Sequence, residues 1–259
     1  MAPSKYRRWL PILLCVATCA LHRDPAARAE SKGKPMSASS PYTSSLQTTA
    51  QFSREDFSPD GNLEKPAWRK AQWVTFSHDA FSPKSYPVSE TAVASSWTAA
   101  YVYFAFRCKY ATLNVYEGED PAKEKWELWN RDVVEVFANP EPQRVNHYYE
   151  FEVSPNNLWI DLEIDLDKIP FNDSAWNSGF EHATRVDAAK HLWSCEMRIP
   201  LRSMNVPRLE ANAEWRVNFF RADGPGSDAQ RRFLSWSPVR SEKHSFHVPT
   251  SFGVIRFVK

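Results

Sequence analysis

Hydrophobic and polar residues alternate with a period of two along most of the chain beyond residue 50, the spacing that turns successive side chains to opposite faces of a β-strand. In Tyr101–Tyr110, Val102, Phe104, Phe106 and Cys108 fall on one face and Tyr101, Tyr103, Ala105 and Arg107 on the other. The first set is expected in the core. Val133–Ala138 and Tyr148–Val153 repeat the pattern, and Asn139–Pro142 between them predicts a turn. In Leu158–Leu166, Leu158, Ile160, Leu162, Ile164 and Leu166 share an apolar face opposite Trp159, Asp161, Glu163 and Asp165. Further strands are expected at Trp73–Ser77, Thr91–Trp97, Phe180–Val186, Leu192–Ile199, Trp215–Ala222, residues 231–237 and Phe252–Val258. Only Glu64–Trp68, with Pro66 in its first turn, reads as helix. About ten short strands separated by turn signals predict an all-β fold, an antiparallel β-sandwich of jelly-roll or immunoglobulin-like type with two packed sheets.

With 259 residues, 42% of them hydrophobic, the chain can bury one sizeable core but is short for two. Residues 1–29 read as an export signal: Lys5, Arg7 and Arg8 precede the apolar run Trp9–Leu21, and Ala27-Arg28-Ala29 offers small residues for cleavage after Ala29. The run is too short to span a bilayer comfortably, so no transmembrane anchor is expected and the protein is expected to be secreted or periplasmic. A lipoprotein cut before Cys19 is the alternative, with Thr18 standing where a smaller residue is usual. Residues 30–50, rich in Ser, Thr and Pro, read as a flexible linker, and the folded domain is expected over residues 51–259.

Cleavage would take five bases and one acid from totals of 32 and 31, leaving 27 against 30 and a net charge of −3. A mildly acidic mature chain argues against nucleic acid as a partner. Cys108 and Cys195 would be the remaining cysteines. Two buried thiols and an oxidised pair are both compatible with their spacing.

The candidate chemistry lies in the stretch Trp126–Val153. On its first strand Glu135 shares a face with Val133 and Phe137; on its second, Glu150 and Glu152 share a face opposite Tyr149, Phe151 and Val153. Acids therefore line one surface of the sheet, with Trp126 and Trp129 at its entrance. Carboxylates accept hydrogen bonds and an indole covers C–H surface, so the combination suits a ligand rich in hydroxyls and C–H bonds. The same acids suggest a glycoside hydrolase using Glu135 with Glu150 or Glu152, since residues two apart on a strand meet the separation such a pair needs. No Gly-rich phosphate loop, Cys-x-x-Cys pair, His-Glu-x-x-His or Gly-x-Ser-x-Gly motif occurs.

Several segments in order resemble the family 9 carbohydrate-binding modules attached to xylanases and their stand-alone secreted, DOMON-like relatives. They are Asp60-Gly61-Asn62-Leu63 with Ala67-Trp68, Trp97 through Tyr101-Val102-Tyr103, residues 129–137, Glu196-Met197-Arg198-Ile199-Pro200, Ser235-Trp236-Ser237, residues 246–249 and residues 252–256. The resemblance implies a β-sandwich that binds oligosaccharides or polysaccharide chain ends without cleaving them, in the setting of polysaccharide degradation, gripping sugar rings between two aromatic side chains. Trp129 stands at the first clamp position, and Phe246 fills the second, where the family carries Trp. Glu135 stands at a hydrogen-bonding acid. Glu152 occupies a place where a relative presents Arg, and Asn218 and Arg221 are polar candidates by proximity in the pattern. The family implies no cofactor, although structural calcium occurs in it. Related sandwiches hold haem b through Met and His in electron transfer; Met197, Met204, His147 and His247 are the residues that alternative would use.

Overall fold

The computed structural model describes residues 40–225, 230–239 and 241–259. The expected export signal (residues 1–29) and the first part of the linker (residues 30–39) lie outside the described residues. Among those described, the alternating segments form strands β1 (Gln47–Phe52), β2 (Trp73–Phe76), β3 (Thr91–Trp97), β4 (Tyr101–Lys109), β5 (Val133–Asn139), β6 (His147–Val153) and β7 (Trp159–Asp165). They continue with β8 (Asn172–Asp173), β9 (Glu181–Asp187), β10 (Leu192–Pro200), β11 (Glu214–Asp223), β12 (Arg232–Ser235) and β13 (Gly253–Val258). One α-helix, α1 (Pro66–Lys70), lies where Pro66 predicts a helix start.

The fold is all-β, and its strands join one mixed sheet. The order is β8-β7-β6-β5-β11-β13-β1-β3-β4-β10-β9, with β12 added on β11 and β2 on β3. The alternation predicts antiparallel pairs, and most are; β1 corrects that expectation, running parallel to both β13 and β3. It also begins at Gln47, so residues 47–50, expected in the linker, belong to the sheet. The reason they escape periodicity is their polarity: β1 inserts between two strands mainly through backbone pairing and buries Thr48 and Ala50 alone.

The sheet curls so that its halves face each other. Phe104 of β4 meets Phe219 of β11 with ring centroids 5.8 Å apart, although the two strands are not neighbours in the sheet. Trp159 of β7 likewise reaches His182 of β9 at 5.6 Å. The inner face carries the main core: Val102, Phe104, Phe106 and Cys108, as the alternation predicts, pack with Val134, Val136, Phe151, Val217, Phe219, Cys195 and Met197. Cys108 and Cys195 are both free, buried thiols there, and burial pushes the Cys108 thiol up to about 11. Met197 and Met204 also pack in this core.

Two smaller clusters cover the outer face. Against β3 and β4, α1 lays Trp68 over Ala94, Tyr103 and Ala105. Its seat is Glu196 of β10, which accepts from Trp68 Nε1 (2.6 Å), from the Asp60 and Gly61 amides (2.9 and 2.8 Å) and from Lys65 Nζ (2.6 Å). Gly61 has φ +74°, and a Cβ there would meet Arg185, so the turn into α1 requires glycine. The other cluster, on β5, β6, β7 and β11, includes Val133, Phe137, Tyr148, Ile160, Leu162 and Phe220. Among the described residues no helix is long and apolar enough to cross a membrane.

The closing strand offers a direct check on this packing. A Cβ on Gly253 would meet the Trp236 ring at 2.5 and 2.7 Å and the Leu46 carbonyl at 2.9 Å. Gly253→Ala is expected to destabilise the fold by about 1–3 kcal/mol, the usual cost of overpacking a buried position, read as a lower midpoint in urea unfolding. An unchanged midpoint would refute this account of the β13 contact.

Candidate functional site

The site follows from which side chains β5 and β6 send inward. These strands pair antiparallel with Glu135 opposite Glu152 and Phe137 opposite Glu150. Val134, Val136, Phe151 and Val153 point into the inner core, so the alternation delivers Glu135, Glu150 and Glu152 together to the outer face. The next strand in each direction surrounds them with apolar residues: Phe220 of β11 opposes Glu135, while Leu162 and Ile160 of β7 oppose Glu150 and Glu152.

Loops then roof this patch into a cavity of about 390 Å³, lined by the three acids and by Trp129, Phe81, Phe233 and Phe246 among others. The short turn Leu128–Asn130 carries Trp129, half-buried against the outer cluster and edge-on to Trp126 at 5.1 Å. Phe246 stacks on Phe220 at 4.1 Å and Phe81 lies 5.7 Å from it. Arg231 also lines the cavity; its guanidinium donates to the carbonyl of Trp129 and, at 3.0 Å, to that of Arg131, tying the Trp129 turn to the cavity.

The electrostatics are unusual. Glu135, Glu150 and Glu152 are 2%, 3% and 0% exposed, and their carboxylate oxygens gather within 4.8 Å of one another. Among the described residues, Glu135 Oε1, Glu150 Oε2 and both oxygens of Glu152 meet no hydrogen-bond partner. Burial holds the Glu135 and Glu152 carboxyls well above the usual carboxylate range. The Glu150 charge pushes both the same way, Glu135 adds to the effect on Glu152, and Arg231 opposes it.

Of the six residues singled out from the sequence, Trp129, Phe246, Glu135 and Glu152 come together around this cavity. Asn218 and Arg221 do not. Asn218 is buried and committed to Ser237, donating to its carbonyl and accepting from its amide, each at 2.9 Å. Arg221 shares the inner face of β11 with Val217 and Phe219, pairs with Asp223 at 3.2 Å and lies 4.8 Å over the Trp193 ring. Phe81, Phe233, Arg231, His244 and Asn172 were not anticipated at the site; all but Asn172, on the two-residue strand β8, come from loops or strand ends, where no periodicity marks them.

The other readings fare less well on geometry. Haem ligation needs Met and His at one iron, yet Met197 and Met204 pack in the inner core. His247 bonds Tyr148 at 2.7 Å on the outer face and His147 lies 2.7 Å from Glu163. As for a metal, Glu135, Glu150 and Glu152 form the one set of three His, Cys, Asp or Glu side chains among the described residues close enough to share an ion.

The site's electrostatics predict a pH signature. Unfolded carboxyls titrate at about 4.3, and where the folded pKa is raised the native state retains protons that the unfolded chain releases. Stability is therefore highest below about pH 4 in this contribution and falls as pH rises through the raised folded values. Glu135→Gln and Glu152→Gln should each flatten that decline, giving a melting temperature above the parent's at neutral pH and converging with it in acid. Parallel melting curves across the pH range would contradict the raised pKa values.

A sequence profile described as Carbohydrate family 9 binding domain-like matches residues 60–259. Among curated proteins, one called Extracellular protein from Arthroderma benhamiae is 24% identical over 196 residues, covering 71% of this chain and 86% of its own length. Among solved structures, a candidate carbohydrate-binding protein from Bacteroides uniformis superposes with a TM-score of 0.66 at 17% identity, covering 83% of this chain and all of its own. A family 9 carbohydrate-binding module from Caldicellulosiruptor kristjanssonii in complex with cellotriose gives a TM-score of 0.60 at 14% identity, over 82% of this chain and 94% of the module.

Proposed function

The chain belongs to the Carbohydrate family 9 binding domain-like family, and from that premise we propose that its outer-face cavity binds short oligosaccharides or polysaccharide chain ends without cleaving them. The observation that carries the reading is the meeting of Trp129, Phe246, Glu135 and Glu152, distant in sequence, around one cavity of about 390 Å³. Aromatic faces cover the C–H surface of a pyranose while carboxyl groups meet its hydroxyls. A carboxyl whose pKa is raised can donate as well as accept, which suits hydroxyls that do both.

The electrostatics disfavour hydrolysis by the pair Glu135 and Glu152. A glycosidase needs one carboxyl kept protonated and its partner ionised, with pKa values pushed apart by different environments. Here Glu135 and Glu152 share one environment and move in the same direction. The affinity should be modest: a disaccharide of about 23 heavy atoms at about 0.3 kcal/mol each reaches about 7 kcal/mol, a Kd on the order of 10 μM.

In fold terms this reading treats the two halves of the curled sheet as the packed layers of a sandwich. It takes residues 1–29 as a cleaved export signal, residues 30–39 as linker and the remainder, in which Tyr42 and Thr43 donate to the carbonyls of Pro142 and Thr250, as the binding domain, working outside the cytoplasm. The extracellular description of the Arthroderma relative supports that location.

Calorimetric titration with xylo-, cello- and manno-oligosaccharides tests the proposal. Trp129→Ala should weaken the best ligand by about 2 kcal/mol, about thirtyfold, as expected for truncation of a central Trp. Titration heats that survive this substitution unchanged would sink the clamp.

A further inference from the structure

We propose that the preferred ligand of this cavity is a saccharide bearing an ammonium group, an amino sugar of the glucosamine type, with its nitrogen seated among Glu135, Glu150 and Glu152 and its ring against Trp129 and Phe246. This rests on the carbohydrate-binding reading and narrows its ligand class.

The argument begins with donors and acceptors. Three carboxyl groups converge within 4.8 Å, and four of their oxygens lack a hydrogen-bond partner among the described residues although all three side chains are at least nine-tenths buried. Glu152 is the sharpest case, wholly buried, with no donor from the rest of the described residues and only the Glu150 carboxyl to share a proton with. Unpaired buried acids are costly, and a cation that supplies donors removes that cost. A primary ammonium presents three N–H donors and no acceptor, which matches three acids once they give up their protons to it. A neutral pyranose can bond the protonated acids but brings no charge for them to ionise against.

Charge and wall chemistry point the same way. Three acids face one lining guanidinium, that of Arg231, and the imidazoles of His244 and His247, so with the acids ionised and the imidazoles neutral the site carries a net negative charge. The remaining wall is largely aromatic, with Phe81, Trp129, Phe233 and Phe246, and aromatic faces attract organic cations. A bare divalent ion uses less of the site: calcium takes oxygen ligands, which the acids and water would supply, and leaves the aromatic wall without a role. An organic ammonium attached to a ring uses both parts, the acids and the aromatic surface.

The test is calorimetric titration of the purified protein at about pH 6, where a primary amine is protonated. Its probes are the β-1,4 dimer of glucosamine, the dimer of N-acetylglucosamine, cellobiose and calcium chloride alone. The glucosamine dimer should bind at least about tenfold more tightly than either neutral dimer, the scale of one charge-assisted hydrogen bond. Glu152→Gln and Glu150→Gln should each cut that preference by about tenfold. Because these substitutions remove buried repulsion, the variants should melt no lower than the parent, which separates lost recognition from lost folding. If cellobiose binds and the glucosamine dimer binds no better, the ammonium proposal is overturned while the carbohydrate reading stands. If no saccharide binds, both fail. Calcium binding that the glucosamine dimer does not displace would assign the acids to a metal and overturn the proposal as well.

Discussion

Everything at the site depends on the register between β5 and β6. Both strands are buried on both faces, so each must divide its side chains between the inner core and the outer patch. Val134 and Val136 from one strand and Phe151 and Val153 from the other fill the space against β4 and β10. With those positions committed, period-two geometry leaves Glu135, Glu150 and Glu152 only the outer face. A slip of one residue would drive the acids into the main core and expel its aliphatic residues. The acids are therefore held in place by the packing of their neighbours, and hydrogen bonding contributes little to keeping them there. That explains how an arrangement of three adjacent buried carboxyls, unfavourable in itself, persists: the core pairs with it through the same backbone.

The polar networks away from the cavity serve the scaffold. Glu196 binds the Asp60 and Gly61 amides, Lys65 and Trp68, pinning α1 and the turn before it to β10. Trp97 Nε1 donates to the Val258 carbonyl, fastening β3 to the closing strand. On the inner face, Asp223 draws together Ser89, Arg221 and Arg232. Several of these residues belong to the segments that carry the family resemblance, such as Asp60-Gly61, Trp68, Trp97 and Glu196. In this chain those segments report the fold. Two further segments of the resemblance, residues 129–137 and 246–249, bring Trp129, Glu135 and Phe246 to the cavity, and the loops that roof β5, β6 and β11 complete its wall.

This division accounts for what could be read from the sequence. Alternation alone placed the inner faces of β4, β5 and β6 and put the three acids on one surface, because each strand carries a contrast between aliphatic and charged positions. It failed for β1, where Gln47, Thr48, Thr49 and Gln51 offer no contrast and the strand is specified by its two parallel neighbours. It also left Asn218 and Arg221 as site candidates. Both faces of β11 are buried, so neither face stands out as solvent-facing. Yet Arg221 stands in phase with Val217 and Phe219, and that phase assigns it to the inner core. The roof of the cavity has no such rule. Phe81, Arg231, Phe233 and His244 reach it through loops and strand ends, and only the three-dimensional path of the chain brings them beside Trp129.

The balance between acids and rings decides what kind of molecule the cavity can hold. Aromatic surface alone would favour any flat C–H face, with little discrimination. Acids alone, exposed to water, would be solvated and would select weakly. Enclosed together, each changes the other: the rings exclude water and leave Glu135 and Glu152 poorly solvated, which raises the affinity of these two carboxyls for protons and for any other donor that enters. The cavity thus behaves as a set of acceptors waiting for donors, and protons are the donors at hand when nothing else is bound. A ligand succeeds by replacing those protons with N–H or O–H groups of its own while presenting an apolar face to Trp129 and Phe246.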